Sequence, residues 1–153
     1  MDQNFSARKA TINDLPIIIK LLFEDDLGKD QEKTSAKLDQ KYLDAFHKIN
    51  ADQNQYLMVV LIDAEIVGTC HLTIMLSLSF MGQTRMQIEG VRVATKHRGQ
   101  RIGEWMLNAA IDYAQLQGAT IIQLMTNKTR TRAKGFYEKL GFIASHEGMK
   151  LYL

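Results

Sequence analysis

The residues best placed to do chemistry lie in one stretch, Val91-Arg92-Val93-Ala94-Thr95-Lys96-His97-Arg98-Gly99-Gln100-Arg101-Ile102-Gly103-Glu104-Trp105. It leaves an apolar strand, Met86 to Val93, crosses a short basic turn and enters a long helical pattern, Ile102 to Gln117. A helix start leaves backbone amides without partners, the helix dipole places partial positive charge there, and glycine lets an anion approach the backbone. Arg98 and Arg101 add full charges beside those amides. The spacing predicts an anion site at a helix N-terminus, although a solvated basic turn has the same outline. Other reactive side chains are less telling. Cys70 sits inside an apolar strand pattern, which suits a buried inert thiol better than a nucleophile. The four histidines are scattered and, with one cysteine, give no metal-ligand spacing, so no metal is expected.

Positioning that stretch requires a framework of alternating strands and helices. Phe5 to Ala10 reads as an edge strand. A helix follows to about Phe23, with Asn13 as its cap, Pro16 in the first turn, and Ile12, Leu15, Ile18, Ile19 and Leu22 as its apolar stripe. Glu24-Asp25-Asp26 then opens an acidic loop. Polar residues run to Ser35, and a second amphipathic helix turns Tyr42, Phe46 and Ile49 inward. Tyr56 to Ile62 and Ile66 to Met75 form a hairpin around Asp63-Ala64. In its second strand Ile66, Gly68, Cys70, Leu72 and Ile74 make the core face, and Val67, Thr69, His71, Thr73 and Met75 the other. Arg85 to Val93 is the next strand. After the long helix Gly118 is a stop, and Thr120 to Thr126 is a strand that must run parallel to Arg85–Val93 by a right-handed crossover. Ligands in such sheets sit outside the carboxyl ends of the strands, which is where Val93 ends. Ala133 to Leu140 reads as a short helix. Phe142 to Ser145 and Met149 to Leu153 read as a closing hairpin around His146-Glu147-Gly148.

Composition bounds the rest. A chain of 153 residues with 46% hydrophobic content suits one domain, residues 1–153, with a sizeable core. A net charge of +2 marks no nucleic-acid binder, and a DNA-recognition helix beginning near Lys96 would follow another helix rather than a strand. Single-cysteine usage fits a reducing compartment. No apolar run has transmembrane length and the N-terminus lacks a signal-peptide core, so a cytoplasmic protein without membrane association is expected.

Two motifs together resemble a known family. Arg98-Gly99-Gln100-Arg101-Ile102-Gly103 is similar to the acyl-CoA pyrophosphate loop of the GNAT superfamily of N-acetyltransferases. Ala133-Lys134-Gly135-Phe136-Tyr137-Glu138-Lys139-Leu140-Gly141-Phe142 resembles the superfamily's A-x-x-F-Y-x-x-x-G-F run. The resemblance implies a single α/β domain: a mixed, mostly antiparallel sheet with a central parallel strand pair, flanked by helices. It implies acetyl-CoA as cosubstrate. The pantetheine arm would lie on backbone groups of Val91 and Val93, and the pyrophosphate on the amides of Arg98, Gly99, Gln100, Arg101, Ile102, Gly103 and Glu104. Two positions depart from the pattern. Arg101 replaces the usual first loop glycine, so it must bind through its amide with its side chain turned away. Arg130 stands where many relatives carry Asn, which leaves either Asn127 or Arg130 to make that contact.

The implied chemistry is direct acetyl transfer to a primary amine in a ternary complex. Such an amine is protonated at neutral pH (pKa of roughly 10) and must first lose a proton. Glu89, or a water it holds, is the expected base, and pairing with Arg92 is its structural alternative. An amide near Val91 would receive the oxyanion, and Tyr137 resembles the family's proton donor to the leaving thiolate. The acceptor would be a small-molecule or peptide amine, drawn by Glu24-Asp25-Asp26 if cationic, although a solvated acidic turn has the same composition. The sequence leaves the oligomeric state open, a homodimer being possible because dimers are frequent in the family. The alternative is a CoA-binding sensor or interaction domain of the same fold without transferase activity.

Overall fold

A computed structural model describes residues 4–24 and 38–153. Asp25, Asp26 and the polar run to Ser35 lie outside the described residues. The described residues form β1 (Phe5–Lys9), α1 (Leu15–Phe23), α2 (Gln40–Ala51), β2 (Gln55–Ile62), β3 (Glu65–Met75), the single turn α3 (Ser79–Gly82), β4 (Arg85–Val93), α4 (Ile102–Leu116), β5 (Ile121–Leu124) and α5 (Thr131–Lys139). They divide into two compact units, Met1–Gln123 and Leu124–Leu153.

The sheet has the order β1-β2-β3-β4-β5. Its first four strands are antiparallel, and β5 runs parallel to β4 because α4 carries the chain back between them. The mixed sheet flanked by helices matches the expected fold class, and β1 is at an edge as its weak alternation implied.

Helices cover both faces of the sheet in the first unit. On one side α1 and α2 bring Leu15, Ile18, Ile19, Leu21 and Phe46 onto Val59, Leu61 and Ile66. On the other α4 buries Ile102, Met106, Leu107, Ala110 and Ala114. Gly68 permits that approach: a Cβ there would stand 3.1 Å from the Arg92 carbonyl oxygen and 3.6 Å from Met106 Sδ.

This double cover corrects the two-face reading of β3. A register shift between Val60 and Leu61 places an extra residue, Val67, in β3. Ile66 therefore packs with α1 and α2 whereas Gly68 meets α4, although strict alternation puts both on one face. Thr69, assigned to the other face, is 1% exposed, and its hydroxyl donates to the Met58 carbonyl at 2.8 Å. Cys70 is buried, and burial pushes its thiol up to about 12, in keeping with an inert side chain.

The start of α1 also differs from the expected Asn13 cap. A 3-10 turn over Ile12–Asp14 precedes the helix, and Asp14 becomes the cap residue. The Asp14 carboxylate accepts from the Thr11 amide at 2.7 Å and from Arg8 Nη1 and Nη2 at 2.6 and 3.0 Å. It is 7% exposed, so these bonds compensate its desolvation and tie β1 to α1.

In the second unit the closing hairpin is not formed: residues 142–153 carry no strand. Alternation alone does not make a strand, because each needs a neighbour to accept its backbone groups. Met149, Leu151, Tyr152 and Leu153 remain exposed.

The Arg8 guanidinium holds the Asp14 carboxyl at about 2, below its ordinary 3.8. A lowered folded-state value supplies stability above the ordinary value and loses it as pH falls through the folded one. Asp14→Asn should therefore cost about 1–2 kcal/mol near neutral pH. Denaturant titrations of both proteins should show that difference intact above pH 4 and shrinking toward pH 2.

Candidate acyl-CoA and acceptor site

The first unit gathers its distinctive features at the C-terminal end of β4. Opposite β3, Thr69 pairs with Arg92 and His71 with Glu89, so one β3 residue faces two on β4, Gly90 and Val91. This is a β-bulge, and Gly90 takes the left-handed φ of 59° that such bulges favour. The extra residue leaves the ladder locally open beside Glu89 and ahead of Val91 and Val93. An isolated glycine inside a strand pattern was the available signal for it.

Beyond Val93 the chain is held in a fixed turn. Ala94 donates to the Val67 carbonyl at 2.9 Å. Glu24, at the end of α1, accepts from the Thr95 amide at 2.8 Å and from its hydroxyl at 3.1 Å. Lys96 pairs with Glu65, which His97 Nε2 also approaches at 3.6 Å. Glu24 thus has a structural partner, which weakens its part in an acidic acceptor wall.

Gly99 (φ 82°) and Arg101 (φ 62°) then turn the chain through left-handed conformations into α4. The Trp105 amide, donating to Arg101 O at 3.0 Å, makes the first intrahelical bond, and no side chain caps the helix. Capped starts occur nearby: Asp39 Oδ1 accepts from the Lys41 amide in α2. At α4 the amides of Ile102, Gly103 and Glu104 precede that first bond and are presented ahead of the helix. The Arg101 side chain is folded onto Glu104, with Nε and Nη2 each 2.9 Å from a carboxylate oxygen. Arg98 is exposed, its Nε 3.4 Å from the Val93 carbonyl. A run of amides with no side-chain cap fits a diphosphate, which needs several convergent donors.

On the α1–α2 side of the same strand lies a cavity of about 360 Å³. Its walls are apolar side chains of α1 and α2, and Glu89, Gly90, Thr69 and His71 also line it. His71 was set aside in the sequence as a residue on the non-core face. Its Nε2 is buried without a hydrogen-bond partner, and burial lowers its pKa against the opposing pull of Glu89. The signal that could have found it is its place opposite Glu89 in the β3–β4 ladder. Among the described residues no cluster of His, Cys, Asp and Glu could hold a metal ion.

The remaining site candidates belong to the second unit. Asn127 Oδ1 accepts from the Thr129 amide at 2.9 Å and hydroxyl at 2.8 Å, closing the turn before α5. Arg130 is the residue before the first turn of α5. Tyr137 is half-buried in α5, with ring centroids 5.3 Å from Phe136 and 5.9 Å from Phe142.

Because the Arg101 side chain is engaged with Glu104, Arg101→Gly should keep CoA affinity within about threefold of the parent, read by calorimetry. Its thermal midpoint should stay level or rise, since glycine adopts φ 62° without strain.

Residues 19–142 match the acetyltransferase (GNAT) family. The chain is 31% identical over 110 residues to an aminoalkylphosphonate N-acetyltransferase of Salmonella typhimurium, covering 70% of this chain and 69% of that one. A transcriptional regulator from Bacillus halodurans superposes with a TM-score of 0.93 at 40% identity, over 98% of this chain and 100% of its own. Glucosamine-6-phosphate N-acetyltransferase from Arabidopsis thaliana shares the fold, with a TM-score of 0.77 at 22% identity over 97% and 98% of the two chains. With most of its length matched, the chain belongs to the acetyltransferase (GNAT) family.

Proposed function

We propose that the protein is an acetyl-CoA-dependent N-acetyltransferase acting on a primary amine. The observation that carries this reading is the uncapped start of α4, reached through left-handed Gly99 and Arg101 directly after a bulged β4. The amides from Arg98 to Glu104 would bind the pyrophosphate of acetyl-CoA, and backbone groups of Val91 and Val93 its pantetheine arm. Asn127 or Arg130 supplies a further contact.

Glu89, directly or through a water, accepts the proton that the ammonium group must lose before attack. A new C–N bond forms at the thioester carbonyl as the C–S bond breaks, and the Val91 amide receives the transient oxyanion. Tyr137 returns a proton to the departing thiolate, a role that rests on its place in the A-x-x-F-Y-x-x-x-G-F run. The net products are an N-acetyl amide, free CoA and one proton. The homodimer and the cytoplasmic setting belong to the same reading. A second copy would cover the exposed apolar side chains of Met149, Leu151, Tyr152 and Leu153.

One observation favours the other reading, a CoA-binding sensor without transferase activity: the 40%-identical structure from Bacillus halodurans is described as a transcriptional regulator. Free-thiol release from acetyl-CoA over a panel of amines separates the two. Release with at least one amine class supports the enzyme, and CoA binding without any release supports the sensor.

Within the enzyme, Tyr137→Phe should lower kcat by about 10²-fold while leaving acetyl-CoA affinity near its parent value. Glu89→Gln should lower kcat/KM by a similar factor, about 10²-fold or more. Unchanged turnover in either variant removes that residue from the mechanism. Sedimentation should give a dimer, and a monomer at all concentrations would rule the pairing out.

A further inference from the structure

The acceptor side of the site carries chemistry of its own. The cavity between α1, α2 and the β3–β4 ladder is walled by Ile19, Leu22, Phe46 and Leu57, and no lysine or arginine is among its described lining residues. Apart from Tyr42 on α2, its polar side chains meet at the ladder. The Thr69 hydroxyl is already committed to the Met58 carbonyl, which leaves Glu89 and the buried, partnerless Nε2 of His71, opposite each other. Gly90 and Val91, where the thioester would lie, follow Glu89 directly.

From this arrangement we infer that the acceptor is a small primary amine with one uncharged alkyl or aryl body. Its nitrogen sits between Glu89 and His71, and its body lies against α1 and α2. The nitrogen brings one positive charge, and Glu89 supplies the matching carboxylate. The body gains about 25 cal/mol for each Å² of apolar surface it buries. Among the described lining residues a second charge has no such partner. An anionic phosphonate would have to shed its water against leucine, isoleucine and phenylalanine with no lysine or arginine among them to receive it, and the far ammonium of a polyamine would find no second carboxylate there. The volume also selects: about 360 Å³ is near the lower end of the range for pockets that enclose small organic ligands. This chain would then differ in acceptor class from its relative named as an aminoalkylphosphonate N-acetyltransferase.

The inference rests on the acetyl-transfer reading only for what happens to the amine once it is bound, so binding and transfer are measured separately. Calorimetry with phenethylamine and with isoamylamine, without acetyl donor, reads the cavity. Acetyl transfer is then followed with the same amines, 2-aminoethylphosphonate and spermidine. Both apolar amines should bind. Their kcat/KM should exceed those of the phosphonate and the polyamine by about 100-fold or more. Ala45 lines the cavity from an exposed position on α2, so a larger residue there fills the cavity without disturbing the core. Ala45→Trp should weaken phenethylamine binding by about tenfold or more and leave CoA affinity unchanged.

Equal or better transfer to the phosphonate or to spermidine overturns the inference and leaves the transferase reading standing. Phenethylamine binding unaffected by Ala45→Trp overturns it as well. Binding of the apolar amines with no transfer to any amine upholds the cavity assignment and removes the transferase reading.

Discussion

The amides at the start of α4 face forward, as those of any helix start do, and the chain reaches them through a residue on the left-handed side of backbone space. Arg101 occupies that position at φ 62°, where most L-residues are strained by their own Cβ. Its side chain is held on Glu104, one turn into the helix, by a two-pronged charged hydrogen bond. Glycine would meet the backbone requirement more cheaply. Arginine meets it with its side chain paired to Glu104.

The second constraint is the bulge at Gly90. One extra residue in β4 changes which groups face which neighbours. Glu89 is set toward the α1–α2 side with His71, while Val91 and Val93 continue toward the turn. The bulge makes one strand serve both the expected acceptor side and the expected acyl-CoA side, and α1 and α2 complete the first of these with apolar walls.

What could be read from the sequence follows from which signals are local. The order of strands and helices, the edge position of β1 and the parallel run of β5 follow from hydrophobic period and connection length. The unusual place of Arg101 follows from comparing one turn with a glycine pattern. The bulge at Val67 was not legible, because alternation is blind to an inserted residue when both faces of a strand are buried. His71 was missed for the same reason: its face reads as polar until α1 and α2 are seen to cover it. Residues 142–153 show the converse failure, since their alternation is real but a ladder requires a second strand that the pattern does not name. At α1 a carboxylate four bonds rich, Asp14, displaced Asn13 as cap, and its partner Arg8 lies too far along the chain for a capping rule to include.

The turn between β4 and α4 is tied down from two directions, by Glu24 on Thr95 and by Glu65 on Lys96. Those anchors come from the end of α1 and the start of β3, elements already fixed by the core. A segment immobilised in this way gives up its rotational freedom when the protein folds. Little would then be left to lose if an anion bound there, so more of the contact energy would appear as affinity.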